Sequence, residues 1–179
     1  PISDLIAGLY CAFGIVTAIN ARHNTKKGQL VETSLTSSLI SLMAYLSAEY
    51  FVTDKTPKKS GNDHPILSPY GLFKTKDGNI AIAPANDKLC EIFLRTLNLE
   101  YLLEDDLYKT NSLRMTNRDK LNDIINQTTE LNTTDYWIKK LNKSGCPAGK
   151  VLDMKEALND QLIEDTEMVI VSDGPDDRK

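Results

Sequence analysis

A carboxylate lies at the point where a long apolar segment of this 179-residue chain begins. Asp4, preceded by Ser3, is followed by fifteen uncharged residues, Leu5 to Ile19, whose pattern indicates a helix. The first amides of a helix lack intrahelical acceptors and the helix dipole is positive there, so this position favours an ionised carboxylate. Such a group can act as a nucleophile or general base where apolar packing excludes water. A simpler alternative is that Asp4 or Ser3 only caps the helix.

The overall composition excludes several classes of function. The net charge is -4 and no basic stripe interleaves with aromatic residues, which argues against a nucleic-acid partner. Cys11, Cys90 and Cys146 are odd in number and far apart, as in a cytoplasmic protein with free thiols. With His23 and His64 as the only histidines, we expect no metal site.

The apolar segment also bears on membrane association. The uncharged run is shorter than the roughly 18 residues that a membrane-spanning helix needs, and it contains Gly8 and Gly14. A signal peptide would carry Lys or Arg where Asp4 stands. We therefore expect a helix buried in protein and no membrane partner.

Hydrophobic periodicity divides the chain into two parts. The first, residues 1–54, contains a predicted helix over 4–22 and a second over 35–53 that Thr33 or Ser34 can cap. These two helices predict a long helical hairpin. Residues 55–69 are rich in Pro, Lys and polar residues, which is typical of a linker.

The second part, residues 70–171, is predicted to be a small α+β domain. Strands over 72–75 and 79–83 flank Asp77-Gly78, which is a β-hairpin signal. The other elements that we predict are a helix begun by Asn86 or Asp87, a helix over 117–129, a helix capped by Thr133 or Thr134, a short helix from Met154 to Leu158, and a strand from Met168 to Val171. Residues 172–179 have no apolar side chain and are expected to be disordered. The predicted fold class is therefore α+β.

Five segments, taken in order, resemble the class III CoA-transferases, a family that includes formyl-CoA and carnitine CoA-transferases and α-methylacyl-CoA racemases. The segments are Ser3-Asp4-Leu5-x-Ala7-Gly8-Leu9-Tyr10-x-Ala12-Phe13-Gly14-Ile15, Thr25-Lys26-Lys27-Gly28-Gln29-x-Val31-Glu32, Gly61-Asn62-x-His64-Pro65-x-x-x-Pro69-Tyr70-x-x-Phe73-x-Thr75-x-Asp77-Gly78, Thr110-Asn111 with Asn117-Arg118, and Gly145-x-Pro147-Ala148-Gly149. Lys26 stands where the family usually has glycine. The resemblance runs from Ile2 to about Met168.

The resemblance implies an architecture and a set of site residues. Residues 1–54 would belong to the large CoA-binding domain, whose N-terminal Rossmann-like part is absent from this sequence, and the family forms interlocked homodimers. Asp4 falls on the family's catalytic carboxylate. Gly61, Asn62 and His64 fall on a loop that borders the active site, although an ordinary linker and a surface histidine are the alternatives. Coenzyme A thioesters would be substrates, with no tightly bound cofactor.

Three functions follow as hypotheses. The first is a CoA-transferase that moves CoA between carboxylic acids through an acyl and CoA-thioester intermediate on Asp4. The second is an α-methylacyl-CoA racemase, in which Asp4 would work with a histidine from the absent domain. The third is an inactive, truncated dimerisation module. We expect the 179-residue chain alone to be inactive and at least dimeric, with residues 5–19 in the interface.

Overall fold

The computed structural model describes residues 1–169, which form two compact units. The first unit is Pro1–Lys58 and the second begins at Lys59, so the predicted linker over 55–69 is divided between them. Met168 and Val169 belong to no strand, and the rest of the strand predicted there lies outside the described residues. The predicted disordered tail, 172–179, also lies outside them.

The first unit contains three helices, α1 (Ile2–Thr25), α2 (Leu35–Ser41) and α3 (Ala44–Thr53). The Ser34 hydroxyl accepts a 3.0 Å hydrogen bond from Ser37 N, which confirms the predicted cap. The prediction of one continuous second helix is wrong, because α2 and α3 meet at an angle of 75°. Ala44, at the break, has a positive φ of 44°, which a continuous helix does not permit.

One side of α1 packs against the segment that follows it. Tyr10 OH lies 2.8 Å from Ser41 Oγ, and Thr33 Oγ1 donates to Ala7 O at 3.3 Å. A Cβ on Gly14 would lie 2.7 Å from Val31 Cγ1, so glycine allows this segment to approach the helix.

The opposite side of α1 is uncovered, which corrects the expectation of a buried helix. Leu5, Leu9, Phe13 and Val16 follow one another at helical spacing, and each is more than 60% exposed. We call these four residues the α1 stripe. Only Ala7 of this helix is buried.

By length and composition alone, α1 could cross a membrane. It has 24 residues, and an 18-residue window of it has a mean hydropathy of 1.9. The sequence argument counted only the uncharged run, whereas the helix extends beyond it at both ends. Apolar helices that another domain or subunit covers share these properties, so length does not decide what covers the α1 stripe.

The second unit is built on a three-stranded antiparallel sheet in the order β1 (Gly71–Thr75), β2 (Gly78–Ile82) and β3 (Ala148–Lys150). Phe73 pairs with Ile80 across β1 and β2, and the turn between these strands confirms the predicted hairpin. The third strand was not predicted. It joins through the pairing of Gly149 with Ala81.

Helices surround this sheet and complete an α+β fold, as predicted. They are α4 (Asp87–Thr96), a 3-10 helix (Glu100–Leu103), α5 (Asn111–Thr116), α6 (Arg118–Thr129), α7 (Thr134–Ser144), α8 (Met154–Leu158) and α9 (Gln161–Asp165). Asn86 Oδ1 caps α4 by accepting from Leu89 N at 2.9 Å, and the Thr133 hydroxyl caps α7. The core between sheet and helices includes Phe73, Ile80, Phe93, Leu121, Ile125 and Leu141.

Candidate active-site residues

Asp4 lies in the first turn of α1. The helix begins after Pro1 without a side-chain cap, so the alternative that Asp4 or Ser3 caps it is wrong. Ser3 Oγ instead donates to Asp4 Oδ2 at 3.1 Å. The carboxylate is exposed in this chain, which differs from the water-free environment that the sequence argument assumed. It lies beside the positive end of the dipole, where negative charge is favoured.

Gly61 and Asn62 occupy a tight turn in the second unit. Asp63 N donates to Ser60 O at 3.1 Å, which closes the turn around them. Gly61 has a φ of +61°, and no atom of the described chain lies within 4 Å of a Cβ built there. The glycine is therefore required by backbone conformation, whereas the space beside it is open.

His64 is held by its own segment. Its backbone N–H donates to Tyr70 O at 2.9 Å, and its Nδ1 accepts from Ile66 N at 3.3 Å. The imidazole and the Tyr70 ring have centroids 4.7 Å apart at a tilt of 31°.

A groove of 420 Å³ begins beside this turn. Its lining residues come from the turn, the sheet and the start of β3: Asn62, Tyr70, Gly71, Leu72, Ala81, Ile82, Ala83, Pro147, Ala148 and Gly149. The Gly61–Asn62 segment and the Pro147–Gly149 segment, which are distant in sequence, therefore meet at one surface. The sequence argument used the second of these segments only as one of the motifs that resemble the family.

Gly71 brings the turn against the sheet. A Cβ built on it would lie 2.5 Å from Asp63 Oδ1 and 2.9 Å from Asn62 O. No side chain fits in that space without displacement of the turn.

Four polar side chains on α5 and α6 hold the segment after this turn. Asn111 and Arg114 belong to α5, Arg118 and Asn122 belong to α6, and all four contact residues 63–68. We call this set the α5–α6 clamp; sequence reasoning quoted Asn111 and Arg118 only as parts of a family-like motif and missed the set as a whole. Within residues 63–68 its partners are main-chain carbonyls, the Ser68 amide and the Asp63 carboxylate, which lie 43 to 59 residues away in sequence.

The two arginines provide the charged contacts of the clamp. Arg118 Nη2 donates to His64 O at 2.6 Å and to Leu67 O at 3.1 Å. Arg114 is buried, and its Nε donates to Ser68 O at 2.6 Å. Hydrogen bonds from a charged donor are stronger than those between neutral groups.

The two asparagines act at the ends of the same segment. Asn111 Nδ2 donates to Ile66 O at 2.9 Å, and Asn111 Oδ1 accepts from Ser68 N at 3.0 Å. Asn122 Nδ2 lies 3.3 and 3.4 Å from the two carboxylate oxygens of Asp63. Residues 63–68 are therefore tied to α5 and α6 along their whole length.

The cysteines do not form an alternative nucleophilic centre in the described chain. Cys11, Cys90 and Cys146 are unpaired, and the last two are buried. Burial raises the pKa of the Cys146 thiol to about 11 and also raises the pKa of Cys90. Thiols with raised pKa values are poor nucleophiles at neutral pH. Across residues 1–169, no three His, Cys, Asp or Glu side chains form a group that could hold a metal ion.

The candidate residues are divided between the two units. Asp4 belongs to the first unit, whereas Gly61, Asn62, His64 and the groove belong to the second. The structure thus brings Asn62 together with the groove and the clamp.

Comparison with known proteins identifies the family. The human succinyl-CoA:glutarate CoA-transferase is 30% identical over 173 residues, covering 97% of this chain and 40% of that protein. The acetyl-CoA:oxalate CoA-transferase of Acetobacter aceti is 28% identical over 173 residues, which cover 97% of this chain and 44% of that protein. The crystal structure of a CaiB/BaiF family protein from Brucella suis superposes with a TM-score of 0.78 at 29% identity. The superposition covers 97% of this chain and 46% of that one. The chain spans less than half the length of these relatives.

The family model described as CoA-transferase family III matches residues 1–179, which is the entire sequence. The resemblance found in the motifs around Asp4, Gly28, Gly61 and Gly145 is therefore confirmed. This chain belongs to CoA-transferase family III.

Proposed function

We propose that the protein carrying this chain is a CoA-transferase that moves CoA from an acyl-CoA to a free carboxylic acid. The match of the family model to residues 1–179 carries this proposal. The relatives support the substrate class, since their names pair a CoA thioester with a small dicarboxylate, glutarate or oxalate. We infer acyl-CoA and short carboxylic acids as substrates, with no tightly bound cofactor.

In the proposed reaction, Asp4 is the nucleophile. Its carboxylate attacks the thioester carbonyl, giving a mixed anhydride and CoA thiolate. The thiolate attacks the aspartyl carbonyl, which releases the donor acid and leaves an aspartyl-CoA thioester. The acceptor carboxylate then attacks this thioester, giving a second anhydride and CoA thiolate. Attack of the thiolate on the acceptor carbonyl forms the new acyl-CoA and regenerates Asp4.

The position of Asp4 supports this role. The first hydrogen bond of the α1 ladder runs from Leu5 N to Pro1 O, so the amides of residues 2–4 precede the ladder. Amides at this end favour the anionic carboxylate before attack. The 3.1 Å bond from Ser3 restricts the orientation of the carboxylate.

Residues 61–64, which include the turn closed by the bond from Asp63 N to Ser60 O, are called the Gly61–His64 turn. This turn has the second proposed role, as a loop that covers the intermediates. The anhydrides and the aspartyl thioester all hydrolyse, so transfer requires that water be excluded while the acids exchange. Open space beside Gly61 and exposure of Asn62 leave room for a substrate at this turn.

We propose that a second copy of the protein, or the remainder of the polypeptide, covers the α1 stripe in a cytoplasmic homodimer. Phe13 is 73% exposed on this otherwise apolar stripe. Contiguous exposed apolar surface of this kind is typical of protein contacts. Since this chain spans less than half of its relatives, we propose that it is inactive alone.

Trapping of the intermediate tests the proposal. The natural polypeptide that carries this chain is incubated with succinyl-CoA, treated with hydroxylamine or borohydride, and mapped by mass spectrometry. We expect the label on Asp4, and we expect Asp4→Asn to lower exchange between succinyl-CoA and glutarate by at least roughly 10³-fold. An unchanged circular dichroism spectrum and melting temperature for Asp4→Asn is the control for folding.

The other two hypotheses give different results. Deuterium incorporation at the α-carbon of 2-methylacyl-CoA without an acceptor acid, and without labelling of Asp4, would indicate racemase chemistry. An unlabelled protein with neither activity would indicate the dimerisation module.

A further inference from the structure

We propose that the α5–α6 clamp positions the Gly61–His64 turn for CoA transfer, and that Arg118 is its principal positioning residue. This inference rests on the proposed function, in which that turn covers the intermediates formed on Asp4. The clamp residues themselves are not proposed to touch substrate. They act through the segment 63–68.

The first argument is that this segment has little regular structure of its own. Residues 63–68 belong to no helix or strand. Two backbone bonds are found at its start, Asp63 N to Ser60 O at 3.1 Å and His64 N to Tyr70 O at 2.9 Å. Carbonyl groups outside regular structure need other donors. The clamp supplies donors to the carbonyls of His64, Ile66, Leu67 and Ser68.

The second argument concerns the place of Arg118 in the clamp. A single Nη2 group bridges His64 O and Leu67 O, which fixes the separation of the two ends of a four-residue span. Arg118 also lies nearest in sequence to Asn122, whose amide contacts the Asp63 carboxylate directly after the turn. The two side chains therefore hold the residues on the C-terminal side of Gly61 and Asn62.

The third argument is that the turn is also fixed from the other side. The absence of a side chain at Gly71 lets Asn62 O and Asp63 approach β1. Held between β1 and α6, the turn presents Asn62 to the groove beside Pro147. A loop that covers a reactive anhydride or thioester excludes water more effectively when its conformation is fixed before substrate binds.

Two readouts separate positioning from simple stability. A loosened turn exposes its amides, which amide hydrogen exchange over residues 61–67 measures. A misplaced cover admits water to the aspartyl intermediate, so acyl-CoA is hydrolysed in place of being transferred. A loss of overall stability alone would lower the amount of active enzyme without changing the ratio of hydrolysis to transfer.

The experiment compares Arg118→Met and Arg118→Lys with Arg95→Gln in the natural polypeptide. Arg95 is an exposed arginine of the same unit that pairs with Glu91 at 2.9 Å, outside the clamp. We expect Arg118→Met to raise exchange over 61–67 by roughly tenfold or more and to raise the ratio of succinyl-CoA hydrolysis to transfer. It should lower kcat more than it changes the KM for succinyl-CoA. Arg118→Lys should restore part of each effect, and Arg95→Gln should match the wild type.

Several results would overturn the inference. Wild-type exchange in Arg118→Met would show that the clamp does not hold the turn. Faster exchange with an unchanged hydrolysis ratio, while Asp4→Asn is inactive, would show that the turn is held but does not cover the reaction. Retained transfer in Asp4→Asn would reject the proposed function itself, and with it the catalytic part of the inference. If Arg118→Met does not fold, Asn122→Ala provides the same comparison through a neutral contact.

Discussion

The Asp77 carboxylate accepts a 2.8 Å hydrogen bond from the backbone N–H of Thr134, which links the turn of the β-hairpin to the first residue of α7. The same oxygen accepts from Thr134 Oγ1 at 2.9 Å and from Thr75 Oγ1 at 3.3 Å. The bond from the Thr134 backbone is the largest cause of a lowered pKa for Asp77, followed by that from the Thr134 side chain. A residue that sequence analysis assigned to a turn therefore also joins two elements.

This link predicts an acid-dependent loss of stability. The pKa of Asp77 is lower in the folded than in the unfolded chain, so its contribution is present above the unfolded pKa, near 3.8, and is lost as the pH falls through the folded value. We expect Asp77→Asn to lower the free energy of unfolding at pH 7 and to differ less from the wild type near pH 3. Urea denaturation at several pH values measures this difference. Asp123→Asn is the control, and a difference for Asp77→Asn that is independent of pH would contradict the prediction.

Removal of the buried Arg114 side chain should lower the free energy of unfolding far more than removal of the charge on its partner, Asp87. Arg114 donates to Ser68 O, Tyr108 O and Asp87 Oδ1, and its side chain is 4% exposed whereas that of Asp87 is 81% exposed. We expect Arg114→Met to cost about 2–4 kcal/mol, because carbonyl groups lose their donors, and Asp87→Asn to cost under about 1 kcal/mol. Equilibrium unfolding in urea gives both values. Equal losses would show that the ion pair, and not the carbonyl contacts, is what matters.

The thiols should differ strongly in reactivity. Cys11 is partly exposed, whereas Cys90 and Cys146 are buried in the second unit. A rise in the pKa of Cys146 from 9.0 to about 11 lowers its thiolate fraction at pH 8 by roughly 100-fold. We expect one fast and two slow thiols with a disulfide reagent, and three fast thiols in urea. Cys11→Ser should remove the fast one, and a fast phase that persists would contradict this assignment.

The raised pKa of Cys146 also predicts alkaline destabilisation. Its protonated form is favoured by the fold, so the contribution is present below pH 9 and is lost as the pH rises towards 11. The free energy of unfolding should fall across this range, and Cys146→Ala should fall less steeply. Parallel curves for the two proteins would assign the loss to other groups.

Gly71 and Gly149 line the same groove but should respond differently to a methyl group. A Cβ on Gly71 meets Asp63 Oδ1 and Asn62 O, whereas no atom of the described chain lies within 4 Å of one on Gly149. We expect Gly71→Ala to cost roughly 1–3 kcal/mol by overpacking and Gly149→Ala to change stability by under about 0.5 kcal/mol. Thermal unfolding measures both. Similar values for the two variants would mean that the turn moves away from β1 easily.

The α1 stripe predicts self-association of the isolated chain. Phe13 lies at its centre, and burial of such a side chain contributes roughly 1.5–3 kcal/mol, which corresponds to about a 10- to 150-fold change in affinity. We expect a dimer or larger species at micromolar concentration and weaker association of Phe13→Asp by sedimentation equilibrium. Leu131→Asp, at a position that is 72% exposed in the second unit, is the control. A monomeric wild type, or an unchanged mass for Phe13→Asp, would refute the prediction.

Elements with a strong local signal were predicted from the sequence. Ser34, Asn86 and Thr133 each accept a hydrogen bond from the amide three residues later, and this short-range chemistry is visible in the residue types. The Asp77-Gly78 turn belongs to the same class. An aromatic residue in the helix that Thr133 caps is a natural core residue, and Trp137 is buried with its Nε1 donating to Thr129 O at 2.8 Å.

Features that depend on distant partners were not predicted. The strand β3 has only three residues and is defined by its pairing with β2, so it has no periodicity of its own. The break between α2 and α3 falls inside an apolar run whose spacing is compatible with one helix. The clamp was missed because its partners are main-chain carbonyls, which every residue has and which residue types therefore do not reveal. The spacing of three, four and four residues from Asn111 to Asn122 is a signal that a search for regularly spaced polar residues could find.

The clamp also has a consequence for which positions of this segment can change in sequence. Arg114, Arg118 and Asn111 hold carbonyl oxygens, which every amino acid carries, so they fix the course of residues 64–68 independently of side-chain identity. The exposed side chain of Ile66 can therefore be exchanged while the main chain keeps its path. Evolution and protein engineering can diversify this surface residue by residue, because the scaffold that orients it lies on other helices. The main chain of residues 64–68 is thus held in place by α5 and α6, whereas its exposed side chains can vary.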